Sequence, residues 1–345
     1  MSDVTPAELA QAAAVIAQTA LHLRKGESFM IVADLESDEM GHAMKRAAEA
    51  AGATTTYARL DQVRSVSTNH TGDRPHKVLP DAVRRPLQGS QASCFLASVP
   101  HQEYSMREQL IHVVSACGIR HAHMPGINVR GFVHGNKLGY DKVAGWGQGV
   151  RNRLELARTL EATSSAGTKL NIGLPTPCKW VERFGEIAPG RCISLPAGAL
   201  YASPDTVSGT FVANACVGEF FGAKAGLLLR TPVRLTIEEG RVVDVHAQQT
   251  ADLERDIKAM LSFAPNSDRI GLVVVGVNAG IDAPTGDPNV DQNMPGLHLV
   301  VGDPGSKETG ATWSARTSFA VCAVGARVVA DGSVVIDDGK IVSVL

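Results

Sequence analysis

Up to His123, short strand-like runs alternate with stretches whose apolar residues recur at helical spacing, and this alternation constrains the fold more than any other feature. Residues 29–33, 54–60, 93–99 and 120–123 are short enough to be strands. Helical spacing holds over 6–24, with Thr5 placed to cap and Gly26 to stop it, and again over 40–51 and 106–116. A single helical turn is expected over 81–85, before Pro86. Parallel strands need a crossover between them, which a helix supplies. The expected first domain is therefore α/β, with a doubly wound, mostly parallel sheet. Ligands of such sheets sit beyond the carboxyl ends of the strands. Those ends carry Asp34, Asp61, His101 and His123.

Past a helical stretch expected over 141–162, the pattern changes. Ser164 to Gly167 breaks the chain, which places a boundary between an α/β domain, 1–163, and a β-rich α+β domain, 164–345. The second half has short strands expected at 169–173, 210–215, 233–237, 242–246, 270–275, 297–301 and 320–324, and one helix at 252–263. Asp331-Gly332 and Asp338-Gly339 read as hairpin turns.

The 345 residues suffice for two buried cores. With 33 basic against 35 acidic side chains the net charge is −2, so no bulk field favours nucleic acid or an anionic membrane. The sequence shows no apolar run of about 18 residues and no secretory pattern at its start. Six scattered cysteines, with no Cys-x-x-Cys pair, fit a reducing, cytoplasmic setting with buried thiols.

One segment is more specific. Ser194-Leu195-Pro196-Ala197-Gly198-Ala199-Leu200-Tyr201-Ala202-Ser203-Pro204 resembles the Leu-Pro-Ala-Gly-Glu segment of aminopeptidase T-type metallopeptidases, a family that includes the iron-dependent 2,5-dihydroxypyridine 5,6-dioxygenases. Further segments are similar in the same order: Gly240 to Val245, Ile270 to Asn278, Gly296 to Leu299, Gly305 to Ser314, and Val328 to Ile341. The resemblance implies an aminopeptidase T-like fold, a ligand cleft between domains and a homodimer. It also implies where a divalent metal would be held in the peptidases: at Ala199, Leu272, His298, Thr312 and Ser314. The dioxygenases draw their iron ligands from the positions of Leu272, Thr312 and Ser314. Only His298 keeps a metal-binding side chain, whereas such sites take three or four donors. No metal and no cofactor are therefore expected.

Other donors do not obviously replace it. His121 and His123 lie on one face of a strand and read as satisfied imidazoles of a half-buried strand. Asp282, Asp287 and Asp291 read as a solvated surface loop without calcium-loop spacing. The glycine-rich 131–135 reads as a loop. Acid–base chemistry then falls to side chains, imidazole first. His101 follows a strand at the sheet's carboxyl edge and is the first catalytic candidate; the resemblance implies a substrate-facing His there. The competing reading is a solvent-facing or helix-capping residue. His298 is the second candidate, against the reading of a packed core histidine. Lys307, Glu308 and Asp303 lie between His298 and the former His-x-Asp positions and are candidates to hold a carboxylate or move a proton. Asn278 and Cys178 complete the substrate-contacting set, Cys178 with Lys179 beside it and a structural role as its alternative.

The reading is a metal-independent enzyme performing hydrolysis, elimination or rearrangement on a small polar or aromatic substrate, without nucleic-acid or membrane partners. Its alternatives are a non-catalytic ligand-binding pseudoenzyme, and a metallo-aminopeptidase or ring-cleaving dioxygenase with recruited ligands.

Overall fold

The computed structural model describes residues 4–63, 78–98, 104–247 and 250–342. The chain forms two compact units, Met1–Asp141 with Gly185–Pro196, and Lys142–Phe184 with Ala197–Leu345.

In the first unit five strands lie parallel in the order Thr54–Arg59, Ser28–Ala33, Ala92–Phe95, Arg120–His123, Cys192–Ser194. Helices Asp38–Ala50, Asp81–Gln88 and Tyr104–Cys117 connect or flank them. Met30, Val32, Phe95, Leu110 and Val114 share one core with Val83 and Leu87. Because both neighbours of Ser28–Ala33 follow it in sequence, the order reverses there. At that edge buried Asp34 accepts from the Ser37 amide (2.9 Å), the Ser37 hydroxyl (2.6 Å) and the Ser98 amide (2.5 Å). Asp61 pairs with Arg59 at 2.6 Å.

Three local expectations in this unit are corrected. The first helix is begun by a Thr5–Glu8 capping box, is α-helical only over Pro6–Val15, and continues as a π-turn over Ile16–Ala20. The turn before Pro86 is instead a helix, Asp81–Gln88, containing Pro86. Val83 and Leu87 are fully buried on it, so packing carries the helix past the residue that breaks it in isolation. The glycine-rich loop is the helix Val129–Gly135, begun by Asn128, whose side chain accepts from the Gly131 amide at 2.7 Å. Close approach explains Gly135: a Cβ there would lie 1.9 Å from Pro196 Cγ.

The second unit has two antiparallel sheets. Eight strands run Arg241–His246, Val233–Glu238, Thr206–Ala213, Lys169–Gly173, Thr159–Ser164, Ala326–Ala330, Ser333–Asp337, Lys340–Ile341. Six run Cys216–Val217, Ser318–Cys322, Gly296–Gly302, Ile270–Gly276, Ala199–Ala202, Val181–Arg183. Leu170, Ile172, Phe211, Leu235 and Val328 of the first pack in one core with Val273, Val275, Leu297, Leu299 and Val301 of the second. The hairpin turns fall as expected, with positive φ at Asp331 and Gly332 and at Asp338 and Gly339. The helix expected over 141–162 stops at Leu154, and Thr159–Ser164 is a strand. There Leu160 and Ala162 are buried while Thr159, Glu161 and Thr163 are exposed, a period of two rather than 3.6. No helix among the described residues is long and apolar enough to cross a membrane.

Candidate active site

Side chains alternate across a strand, so the face of the six-stranded sheet opposite the core has a fixed roster. Val274 is level with Tyr201 and His298, Val300 with Leu272 and Ala320, and Ala199 with Arg183. Ala199, Val274 and Val300 are buried together, with half-buried Tyr201, Leu272 and Ala320 packed against them. Ala199 and Leu272, where the resemblance puts two metal-binding carboxylates, thus belong to an apolar patch.

The other positions where the resemblance puts ligands do not suit a cation either. His298 is fully buried; its Nε2–H donates to the Met294 carbonyl at 2.9 Å, and its Nδ1 accepts from the Ala323 amide at 3.3 Å. Both ring nitrogens are therefore engaged by backbone. Thr312 and Ser314 are exposed hydroxyls. An aliphatic pair, a backbone-bound imidazole and two alcohols do not make the three or four donors a divalent ion takes.

At one edge of the apolar patch lies a polar cluster. Arg183 Nη2 donates to Glu308 Oε1 at 2.5 Å, Tyr201 Oη donates to Glu308 Oε2 at 2.5 Å, and Arg183 Nε donates to Tyr201 Oη at 3.2 Å. The Arg183 side chain is 27% exposed and that of Glu308 42%, so the cluster is half sheltered. Burial pushes the Tyr201 phenol up to about 12; the bond to Glu308 adds to this and the Arg183 charge opposes it. Burial also works against the Arg183 charge, but Tyr201 and Glu308 outweigh it and raise its pKa. At neutral pH the group is a carboxylate clamped between a guanidinium and a protonated phenol. Such a set can bind an anion, take a proton and return one.

Of the residues singled out from sequence, Glu308 is in this cluster. Lys307, beside it on the turn Ser306–Thr309, is exposed, and the Asp303 amide donates to the Thr317 carbonyl at 2.8 Å. Asn278 is buried and holds the loop before Ala199: its Nδ2 donates to the Ala197 carbonyl (2.8 Å) and its Oδ1 accepts from Gly280 (3.0 Å). Cys178 packs against the main core, and burial raises its thiol to about 11. His101 lies outside the described residues. Tyr201 and Arg183 were missed. Tyr201 stands two residues after Ala199 on a strand, hence on the same face, and that spacing could have marked it. Arg183 reaches the site only through its pairing with Ala199, for which the sequence has no signal.

The acidic loop is corrected. Asp291 is fully buried, and its carboxylate accepts from the Thr285 amide and hydroxyl (both 2.7 Å) and the Gly286 amide (2.9 Å). It is a turn-closing anchor. Asp287 caps the turn Pro288–Asp291, and burial lifts its pKa to about 6. Near Asp291, buried Cys216 and Cys322 face each other across paired strands beside His298. Burial raises the Cys322 thiol, but Cys216 and His298 beside it outweigh this and lower it.

This two-unit architecture is that of the family whose motifs the sequence resembles. The structure is similar to 2,5-dihydroxypyridine dioxygenase from Pseudomonas putida KT2440, with a TM-score of 0.67, 17% identity and 99% of each chain covered. It is also similar to wild-type AmpT from Thermus thermophilus, with a TM-score of 0.63, 15% identity, and 98% of this chain and 99% of that one covered. No family model matches the sequence, and no curated protein does. The chain has the aminopeptidase T and dihydroxypyridine dioxygenase fold, an α/β unit joined to a β-rich one.

Proposed function

We propose that the protein is an enzyme that carries out acid–base chemistry, a hydrolysis, elimination or rearrangement, on a small polar or aromatic molecule. Its reacting groups are Glu308, Tyr201 and Arg183, and the inherited metal positions take no part. The observation that supports this is the Arg183–Tyr201–Glu308 cluster set beside an apolar patch that contains Ala199 and Leu272. The patch fits the apolar body of a substrate, and the cluster its polar end.

Arg183 receives a carboxylate or a developing oxyanion, for which its planar fork is suited. Glu308, released from one of its bonds as the ligand arrives, takes a proton from the substrate or from water. Tyr201, still protonated at neutral pH, donates one to the leaving or rearranging atom, and the resulting phenolate is stabilised by Arg183 at 3.2 Å. His101 stays a proposed acid–base residue on sequence grounds alone. Homodimerisation and a cytoplasmic setting belong to the proposal on the same grounds.

The test is a turnover screen of the full chain against small amides and hydroxylated pyridines. Glu308→Gln and Tyr201→Phe are then measured on any substrate found. General acid–base groups contribute roughly 10²–10⁴-fold, so kcat should fall by at least about 100-fold in each. Unchanged kcat in both variants overturns the assignment.

A further inference from the structure

A second group of chemically able side chains lies in the first unit, and the function proposed above does not use it. The parallel register puts Ser93, His121 and Cys192 level with one another on three adjacent strands. Level residues of parallel strands point to the same face about 4.8 Å apart, and His123, two residues on from His121, joins them. The result is a contiguous chain of polar atoms. Ser93 Oγ is 2.7 Å from His121 Nδ1, and His121 Nε2 is 3.2 Å from His123 Nδ1. The ligand atoms of His121, His123 and Cys192 all lie within 4.8 Å of one another. His121 is fully buried and His123 is 8% exposed, whereas Cys192 is only partly buried.

We infer that His121, His123 and Cys192 form a binding site for a borderline-soft divalent cation of the zinc class, oriented by Ser93. Geometry is the first argument. Two nitrogens bound to one tetrahedral zinc at about 2.0–2.1 Å are about 3.3 Å apart. The separation of His121 Nε2 and His123 Nδ1 is 3.2 Å, so an ion bridges them with little movement of either ring. Donor type is the second: two imidazoles and a thiolate select zinc over magnesium or calcium. The third is support. With Nδ1–H of His121 directed at Ser93 Oγ, Nε2 carries the lone pair that now faces His123 Nδ1 and that an ion between the two rings would take, the usual arrangement of a zinc-bound histidine.

Protonation agrees. Burial, and then the other imidazole, holds His121 well below its ordinary value; burial, and then the Arg107 charge, brings His123 to about 4. Both rings are neutral, as ligands must be. Arg107 also favours an anion, such as hydroxide or a carboxylate, at the fourth coordination position. Binding releases one proton, that of the Cys192 thiol, while the proton of the His121–His123 hydrogen bond moves to the other nitrogen of the neutral His123 ring. The only co-reactant is the ion.

The inference goes beyond the Arg183–Tyr201–Glu308 reading, and its test does not involve turnover. Cobalt(II) is titrated into the metal-stripped full chain, and absorption is compared with Cys192→Ser. The expected result is one ion per chain, with tetrahedral visible bands and a sulfur-to-cobalt charge-transfer band that disappears in Cys192→Ser, where affinity falls at least about tenfold. Should Cys192→Ser fail to fold, wild-type chain is alkylated with and without zinc and analysed by mass spectrometry. Zinc should slow modification of Cys192 at least tenfold and leave exposed Cys117 unchanged. Absence of stoichiometric binding, a sulfur band that persists in Cys192→Ser, or equal alkylation of Cys192 with and without zinc overturns the site and leaves the proposed chemistry untouched.

Discussion

Replacing Glu308 by Gln changes one charge in the candidate site, and the consequence can be read on Tyr201 without any substrate. In the wild type the Tyr201 hydroxyl donates to Glu308 Oε2 at 2.5 Å, a bond that ionisation of the phenol would destroy and replace by repulsion. Burial raises the phenol and Glu308 adds to it, giving about 12. A hydrogen bond to a charged group is worth roughly 1.5–3 kcal/mol. Because the Glu308 side chain is 42% exposed, solvent screens it and the low end applies. At 1.36 kcal/mol per unit, about 1.5 kcal/mol is about one pKa unit. Glutamine keeps a neutral acceptor, so Tyr201 should titrate about one unit lower in Glu308→Gln, yet still above an exposed tyrosine because its burial persists. Arg183→Met should move it the other way, since that charge lowers the phenol. The assay is an ultraviolet titration of phenolate, with Tyr201→Phe subtracted to isolate one of the chain's four tyrosines. A Tyr201 titration identical in wild type and Glu308→Gln would refute the coupling on which the proposed mechanism stands.

Three further outcomes are expected. Asp291→Ala leaves three donors around Thr285 and Gly286 without their buried acceptor and should cost about 3–5 kcal/mol in denaturant unfolding; a loss below 1 kcal/mol would contradict the anchoring role. Asp287, raised to about 6, binds its proton more tightly folded than unfolded, so its contribution to stability grows as pH falls from 7 towards 4. Asp287→Asn should flatten that part of the stability–pH profile, and an unchanged slope would assign it elsewhere. Gly198→Ala combines φ +134° with a Cβ 2.5 Å from Asn278 Cβ, so it should destabilise the chain by about 2 kcal/mol or more, measured by thermal unfolding.

Regular patterning is what made much of the fold legible. Ser28–Ala33 and Ala92–Phe95 of the first sheet are short, largely apolar runs, and the Asp-Gly pairs force positive φ at two successive positions, which a hairpin supplies. The ordered motifs from Ser194 onward placed Ala199, Leu272 and His298 on strands that pair in one sheet, and Glu308 could be picked because it lies between His298 and the positions of Thr312 and Ser314. What stayed hidden depends on register or burial. Cys192–Ser194 joins the parallel sheet although its flanks read as turns, and only that pairing sets Cys192 beside His121. Arg183 belongs to a three-residue strand at a sheet edge, too short to carry a period. Asp291 looked solvated because three acidic residues share a loop, whereas backbone amides and a threonine satisfy it inside. The helix Val129–Gly135 contradicts glycine's low propensity, since tertiary packing of Gly131, Phe132 and Val133 outweighs it.

Anomalous diffraction from crystals grown with zinc tests the central claim most directly, because it locates bound ions independently of any assay. The account predicts no zinc within about 2.5 Å of His298 and none among Ala199, Leu272, Thr312 and Ser314, with density at His121, His123 and Cys192 instead. A zinc peak bonded to His298 would contradict it and return the site to metal chemistry.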